Sequence, residues 1–300
     1  MLADRTFVAS TLALVAALAL PPGASAAPAA AAGKAEKPGN APADAKGAKG
    51  AKLGKGKAGP KVKVDPAIEQ AQKLLDSGDR AQVESGIQSL GLIGKKEVVA
   101  PLAERLRRGL PPELMETAIL TLMTLGEPSA GPVLNELAAH RRPEVRLRAI
   151  EAITALRPPG AEATLVAALS DGDDGVRSAA ASGLGELGAR DAFEVLFHAL
   201  DRGNMAASQA LGKVVEPGQA TRLLGYLGRI PFYSLGPALG EVLKRTDVAE
   251  PAKLQIIAGL QEVATPEVKG FLGDVMGSAG DALGANVKRA IMHAMQEIAD

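Results

Sequence analysis

The side chains best suited to chemistry in this chain are three histidines, one acidic run and one arginine cluster. His140, His198 and His293 stand far apart. A metal ion needs several ligands brought together, and a lone histidine in a helix is ordinarily packed or solvated. Asp171, Asp173 and Asp174 surround Gly172. A calcium loop places oxygens at alternating positions and ends in a bidentate acid. This run lacks that ending, so helix capping by Asp173 or Asp174 is the better account. No Gly-rich phosphate loop, nucleophile elbow or zinc signature occurs. The chain has no cysteine, which excludes disulfides, thiol catalysis, thiolate metal sites and a lipid-modified cysteine. No catalytic, cofactor or metal site is therefore expected.

Binding chemistry is better represented. Arg141, Arg142, Arg146 and Arg148 crowd the start of one helical stretch, with Arg107 and Arg108 upstream. Such a cluster can grip a carboxylate or phosphate. Glu104, Glu136, Glu144 and Glu151 are interspersed, which makes an ordinary mixed surface the competing reading. Aromatics are only 2% of the chain and there is no Trp, yet Tyr226, Arg229, Phe232 and Tyr233 gather beside Pro231. Aromatics and arginine favour interface hot spots. They serve equally well to fill a gap in a core, and both readings stand at this point.

The elements that must position these groups repeat along the chain. Gly94, Gly126 and Gly188 each follow an apolar helical stretch, where a left-handed cap belongs. Arg157 holds the equivalent slot in one repeat, and Pro158 and Pro159 stop that helix. The successive spacings are 32, 31 and 31 residues. Leu90, Leu122, Ile153 and Leu184 march in step, as do Leu102, Leu134, Leu165 and Leu196. Ala118, Ala149 and Ala180 form a small-residue column where neighbouring helices must approach closely. Each unit holds two short helices with one-sided apolar stripes, such as Val145, Ala149, Ala152, Ile153 and Leu156. Neither stripe can be buried alone; stacking identical pairs buries all of them. The fold class is all-α, a superhelical solenoid of antiparallel helix pairs. The stretch near 203–250 is degenerate. Leu184 to Leu211 and Leu196 to Leu223 are both 27 residues apart, and Ala252–Met276 then matches Val145–Leu169 at an offset of 107. Only one clear helix, near Phe232–Lys244, lies between Gly218–Arg229 and Ala252, so the phase of the rows is open there.

Two segments carry a known signature. Pro143-Glu144-Val145-Arg146-Leu147-Arg148-Ala149 and Asp173-Asp174-Gly175-Val176-Arg177-Ser178-Ala179-Ala180 resemble the VRxxA start of the second helix in HEAT repeats. They are most similar to the short bacterial, phycobilisome-lyase-like type. The resemblance implies an α-solenoid from about Pro66 to the end, whose second-row helices line the concave face. It makes Arg148 and Glu151 the first candidates for partner contact. It further implies a ladder of Asp and Arg side chains between repeats, with Asp171 and Arg177 matching, and Asp247 and Lys253 matching with Lys for Arg. His140 departs from the pattern, which would break the ladder ahead of Arg146. HEAT-like iron hydroxylases use His-Glu pairs, whereas Arg141, Ala199 and Ala294 follow the histidines here. HEAT-like DNA glycosylases use a basic, aromatic face, which this acidic body without Trp does not match. Lyase activity is the remaining enzyme reading.

The amino terminus reads as a secretory signal, residues 1–26. Phe7–Leu20 is an unbroken run of apolar and small residues, shorter than the ~20 needed to span a bilayer. Pro21, Pro22 and Gly23 end it, and Ala24-Ser25-Ala26 is an A-x-A cleavage site ahead of Ala27. Residues 27–65 are Ala, Gly, Pro and Lys, too poor in apolar side chains to offset ordering entropy, and read as a disordered tether. Between Lys34 and Lys63 it carries nine lysines, which against three acids leave +6. The body from Pro66 has 24 basic and 30 acidic residues, or −6. The arm can hold an anionic surface or polymer without specificity, or act as a solvated spacer. It has no aromatic on which bases could stack, so no specific nucleic acid is expected. The expected protein is exported, periplasmic or secreted, with no membrane span after cleavage. It binds a protein partner through the solenoid; the alternatives are a lyase-like enzyme accessory and a structural envelope component held by the arm. Amino-terminal sequencing of the chain exported from a bacterial host should start at Ala27; a start at Met1 removes the signal reading.

Overall fold

A computed structural model describes residues 65–299. The signal and tether readings, including Ala24, Ala26, Ala27 and Lys34–Lys63, lie outside the described residues. Within them the chain forms α1 (Pro66–Leu75), α2 (Arg80–Ile93), α3 (Val99–Arg108), α4 (Pro112–Leu125), α5 (Gly131–Leu137), α6 (Pro143–Leu156) and α7 (Ala161–Ala168). There follow α8 (Asp174–Leu187), α9 (Phe193–Asp201), α10 (Ala206–Val214), α11 (Phe232–Lys244), α12 (Glu250–Val263), α13 (Pro266–Ala279) and α14 (Ala285–Glu297). The fold is all-α, and no strand occurs among the described residues. No described helix is long and apolar enough to cross a membrane.

Local chemistry sets the helix ends. Asp79 caps α2 by accepting from the Gln82 N–H at 3.0 Å, and Asp173 caps α8 by accepting from Val176 N–H at 3.1 Å. Gly94, Gly126 and Gly188 close α2, α4 and α8 in the left-handed conformation. Arg157 takes the same conformation at φ 48° before Pro158, as does Ala264 after α12. Both are non-glycine residues in a region that L side chains enter at a cost.

The helices stand in two rows. The second row runs α2, α4, α6, α8, α10, α11, α13, each packed against the next. The first row runs α1, α3, α5, α7, α9, then a 3₁₀ segment Pro217–Tyr226, then α12 and α14. That 3₁₀ segment is the missing partner in the degenerate stretch. It touches α9 through Arg222–Glu194 and Tyr226–Phe197, and it packs on α12. Strict alternation therefore persists to α14. The offset of 107 would place α12 in the second row with α6; the structure places it in the first. The sequence match reflects close lateral packing, which α12 and α14 share with the earlier second-row helices, and not row identity.

The core is a continuous seam of Leu, Ile, Val and Ala between the rows, including Leu90, Leu122, Ile153, Leu184, Leu211, Leu239 and Leu260. The second row is tightest from α8 to α11. A Cβ added at Gly185 would lie 2.9 Å from the Ala210 Cα, and one at Gly212 would lie 2.6 Å from the Glu241 Cβ and 3.0 Å from the Ala238 carbonyl carbon. Backbone cannot yield locally as a side chain can. Gly212→Ala should lower stability by about 1–3 kcal/mol through overpacking, read by thermal or urea unfolding. Gly218→Ala, which meets nothing within 4 Å, is the control and should change it little.

Candidate functional site: the second-row face

Helical geometry turns one strip of each second-row helix to solvent. Gly91 of α2 faces Thr121 of α4, with 3.2 Å between an added Cβ and Thr121 Cγ2. At 100° per residue, Leu92 and Leu120 then point to the same outer side. Leu92 is 89% exposed and Leu120 39%. Continuing across the row by the repeat spacing, the outward positions are Ser85, Thr117, Arg148 and Ala179; Gln88, Leu120, Glu151 and Ser182; and Leu92, Thr124, Ala155 and Glu186.

This strip has little free charge. The Thr117, Thr121 and Thr124 hydroxyls donate to the carbonyls of Glu113, Thr117 and Leu120 at 2.8–2.9 Å, so each is bonded within its own helix, and the Thr121 methyl lies toward Gly91 of α2. Arg148 donates to Glu151 at 2.8 Å and reaches Glu116 at 3.8 Å, a network closed on itself. The first row contrasts with it. There Arg107–Glu136, Arg108–Asp76 and Arg222–Glu194 pair across a charged, exposed surface.

The arginine cluster divides. Arg141 and Arg142 are exposed at the start of α6. Arg148 belongs to the neutralised strip. Arg146 turns inward and grips Asp171 with two bonds of 2.7 and 2.6 Å, while its third nitrogen donates to the His140 carbonyl at 2.9 Å. The ladder thus differs from the expected form. Asp171 pairs through its side chain with Arg146 of the preceding repeat, and only its backbone carbonyl accepts from Arg177, at 2.7 Å. The His140 carbonyl accepts from Arg146 as the Asp171 carbonyl accepts from Arg177, and the side-chain link that Asp171 makes to the preceding repeat has no counterpart at His140. The ladder ends at Asn204, which donates to the Arg177 carbonyl at 3.0 Å and leaves its own Oδ1 buried without a partner. Arg177 pairs with Asp174 on its own helix. Asp247 and Lys253 do not pair directly: Asp247 accepts from Arg245 at 2.9 and 2.8 Å, and Lys253 is buried in α12, where desolvation lowers its pKa against the pull of Asp247 and Glu250.

The acidic run is occupied by structure, with Asp171 on Arg146, Asp173 on the helix cap and Asp174 on Arg177. Among the described residues no group of three His, Cys, Asp or Glu side chains converges to hold a metal ion. The aromatic group also splits. Tyr226 stacks on Phe197 at 3.9 Å between centroids, and Phe232 meets Phe271 edge-on at 5.3 Å, so both fill the joint. Tyr233, 66% exposed, and Arg229 face solvent there. Sequence reasoning missed Leu92 and Leu120. The available signal was their place beside the core columns, out of phase with the buried stripe.

Residues 132–212 match the family model of HEAT repeats. No curated protein matches the sequence. Among solved structures the chain is similar to part of a homology model of the full-length AP-3 complex in an intermediate open conformation, at 15% identity and TM-score 0.48 over 78% of this chain. It spans about half of that chain, 51%. It is also similar to the complex of CpcE and CpcF of phycocyanin lyase from Nostoc sp. PCC7120, at 20% identity and TM-score 0.43, covering 84% of this chain and 100% of that one. A designed armadillo repeat protein matches at 16% identity and TM-score 0.37, covering 77% of this chain and 100% of its own.

The Arg146–Asp171 pair is the most enclosed ion pair among the described residues, its side chains 17% and 12% exposed. Its hydrogen bonds to Arg146 hold the Asp171 carboxyl below the usual carboxylate range. A depressed folded-state value adds stability that is present above the unfolded value of about 3.9 and is lost as pH falls through the folded one. Asp171→Asn should cost about 2–4 kcal/mol at pH 7, because it leaves an enclosed guanidinium without its charge partner. In urea unfolding across pH, the gap between wild type and D171N should hold from pH 7 to 5 and shrink below about pH 4.

Proposed function

We propose that this chain, which belongs to the HEAT-repeat family, is a non-catalytic scaffold that holds a protein partner on its second-row face. The observation that carries the reading is the exposed Leu92–Leu120 patch, beside threonines whose hydroxyls are bonded within their helix and flanked by an Arg148–Glu151–Glu116 network. Burying such a strip strips few unpaired charges of water, and apolar surface in a low-charge field is what a partner can cover favourably. Arg148 and Glu151 then serve register more than affinity, since an exposed pair contributes little. Tyr233 and Arg229 at the joint extend the surface with a hot-spot pairing.

The setting proposed for this scaffold is the bacterial envelope or the exterior. The apolar run Phe7–Leu20 and the Ala24-Ser25-Ala26 site support export, and the absence of cysteine is compatible with a bacterial exported protein. The lysine segment Lys34–Lys63 is read as an accessory that draws the chain to anionic polymers, with weak and salt-sensitive binding.

Affinity capture from envelope extract, using the full chain as bait, tests the reading. Leu92→Asp with Leu120→Asp places two charges in the strip and should weaken retention of the wild-type partner by tenfold or more, about 1.4 kcal/mol upward. The exposed first-row change Glu104→Gln should leave it unchanged, with circular dichroism showing equal helicity in all variants. Retention that survives L92D/L120D, but disappears when residues 27–65 are deleted, overturns the scaffold reading in favour of an anchored envelope component.

A further inference from the structure

We propose that the groove between α7 and α9 is a second docking surface, taking an extended partner segment in which lysine or arginine alternates with small aliphatic residues. The proposal rests on the scaffold reading but uses a different face. The groove, about 640 Å³, exists because α7 is short and built from small side chains. Ala161, Ala163, Ala167 and Ala168 supply four of its eight positions. Its entry also differs from that of α3, α5 and α9, which begin with 3₁₀ turns. Here Pro158-Pro159-Gly160 leads into the helix, with Pro158 seated so close to Gly131 of α5 that a Cβ there would lie 2.5 Å from the proline ring.

The lining has two chemistries. Val166, Leu187, Ala192 and Val195 give an apolar floor, and Val195 is 37% exposed in it. Glu162 and Asp191 stand over that floor, and no lysine or arginine lines it. Neither carboxylate has an ion-pair or hydrogen-bond partner among the described residues. Along the same row Glu136 has Arg107, Glu194 has Arg222 and Glu216 has Arg190. Two uncompensated carboxylates beside open apolar surface are complementary to a segment carrying both cations and aliphatic groups. Extended chain sends successive side chains to opposite sides. A lysine–valine alternation therefore lowers valines onto the floor while its ammonium groups stay at the rim. The groove is open, and its volume lies in the range that admits a short segment.

Fluorescence anisotropy on the full chain tests this with a labelled heptapeptide of alternating lysine and valine. It should bind saturably. A lysine–glycine peptide of equal charge should bind at least about fivefold more weakly, and a glutamate–valine peptide should not compete. Glu162→Gln with Asp191→Asn should weaken the lysine–valine peptide by about fivefold or more, with unchanged helicity. L92D/L120D should leave this binding unaltered. Equal binding of the lysine–glycine peptide, indifference to E162Q/D191N, or no saturable binding overturns the proposal. Such failure leaves the second-row reading standing, since that reading is tested by the L92D/L120D loss of captured partner.

Discussion

Every part of this molecule depends on the fact that a pair of short helices cannot bury its own apolar stripes. Helix α6 has Val145, Ala149, Ile150, Ala152, Ile153 and Leu156 in the core. Its partner α5, only Gly131–Leu137, is far too small to cover them. The remainder is covered by α4 on one side and α8 on the other. Burial is thus a property of neighbours, and each unit is stable only as a member of a row. Helix α14 turns Val287, Ile291 and Ala294 into the core, and its Glu297 accepts from Gln261 of α12.

Lateral stacking also explains the glycines and the joint. Side-by-side helices come closest where side chains vanish, at Gly185 and Gly212. Beyond α10 a full α-helix in the first row gives way to the 3₁₀ segment Pro217–Tyr226. The scarce aromatics collect there for a packing reason: Phe197 and Tyr226 fill the space that a regular helix would occupy, while Phe232 meets Phe271 one unit later. Past that point close lateral packing passes to α12 and α14 in the first row.

This history decides what could be read from the residues alone. The columns of Leu, Ala and cap Gly were legible because each answers to a constraint that recurs once per unit. The row of α12 was not, because its pattern records how near a neighbour lies and is silent on which row that neighbour stands in. The 3₁₀ segment was legible by its register, since Leu223 follows Leu196 at 27 residues, but its conformation was not. The ladder was legible in its residue types but not in its pairing. The long Arg146 side chain reaches forward to Asp171 in the next inter-helix loop, while each arginine also donates to the backbone carbonyl six residues before it, at His140 and at Asp171. Leu92 and Leu120 were hidden for a simpler reason. An outward leucine is chemically identical to a core leucine, and only the contact of Gly91 with Thr121 orients it.

The two rows differ in what they ask of a partner. Covering the first row would dehydrate many exposed carboxylates and guanidiniums, and each pair broken or left unmatched counts against association. At the α7–α9 groove that row leaves two carboxylates uncompensated beside open apolar surface, so an incoming cation finds a role there that no residue of the chain already fills. The second row from α2 to α8 presents the opposite situation. On its outward strip the threonine hydroxyls are bonded within the helix, Arg148 is shared between two glutamates, and Leu92 and Leu120 are exposed. Where polar groups are already satisfied, as around Leu92 and Leu120, a surface loses little on being covered and gains the apolar area, which is the physical basis for proposing recognition there.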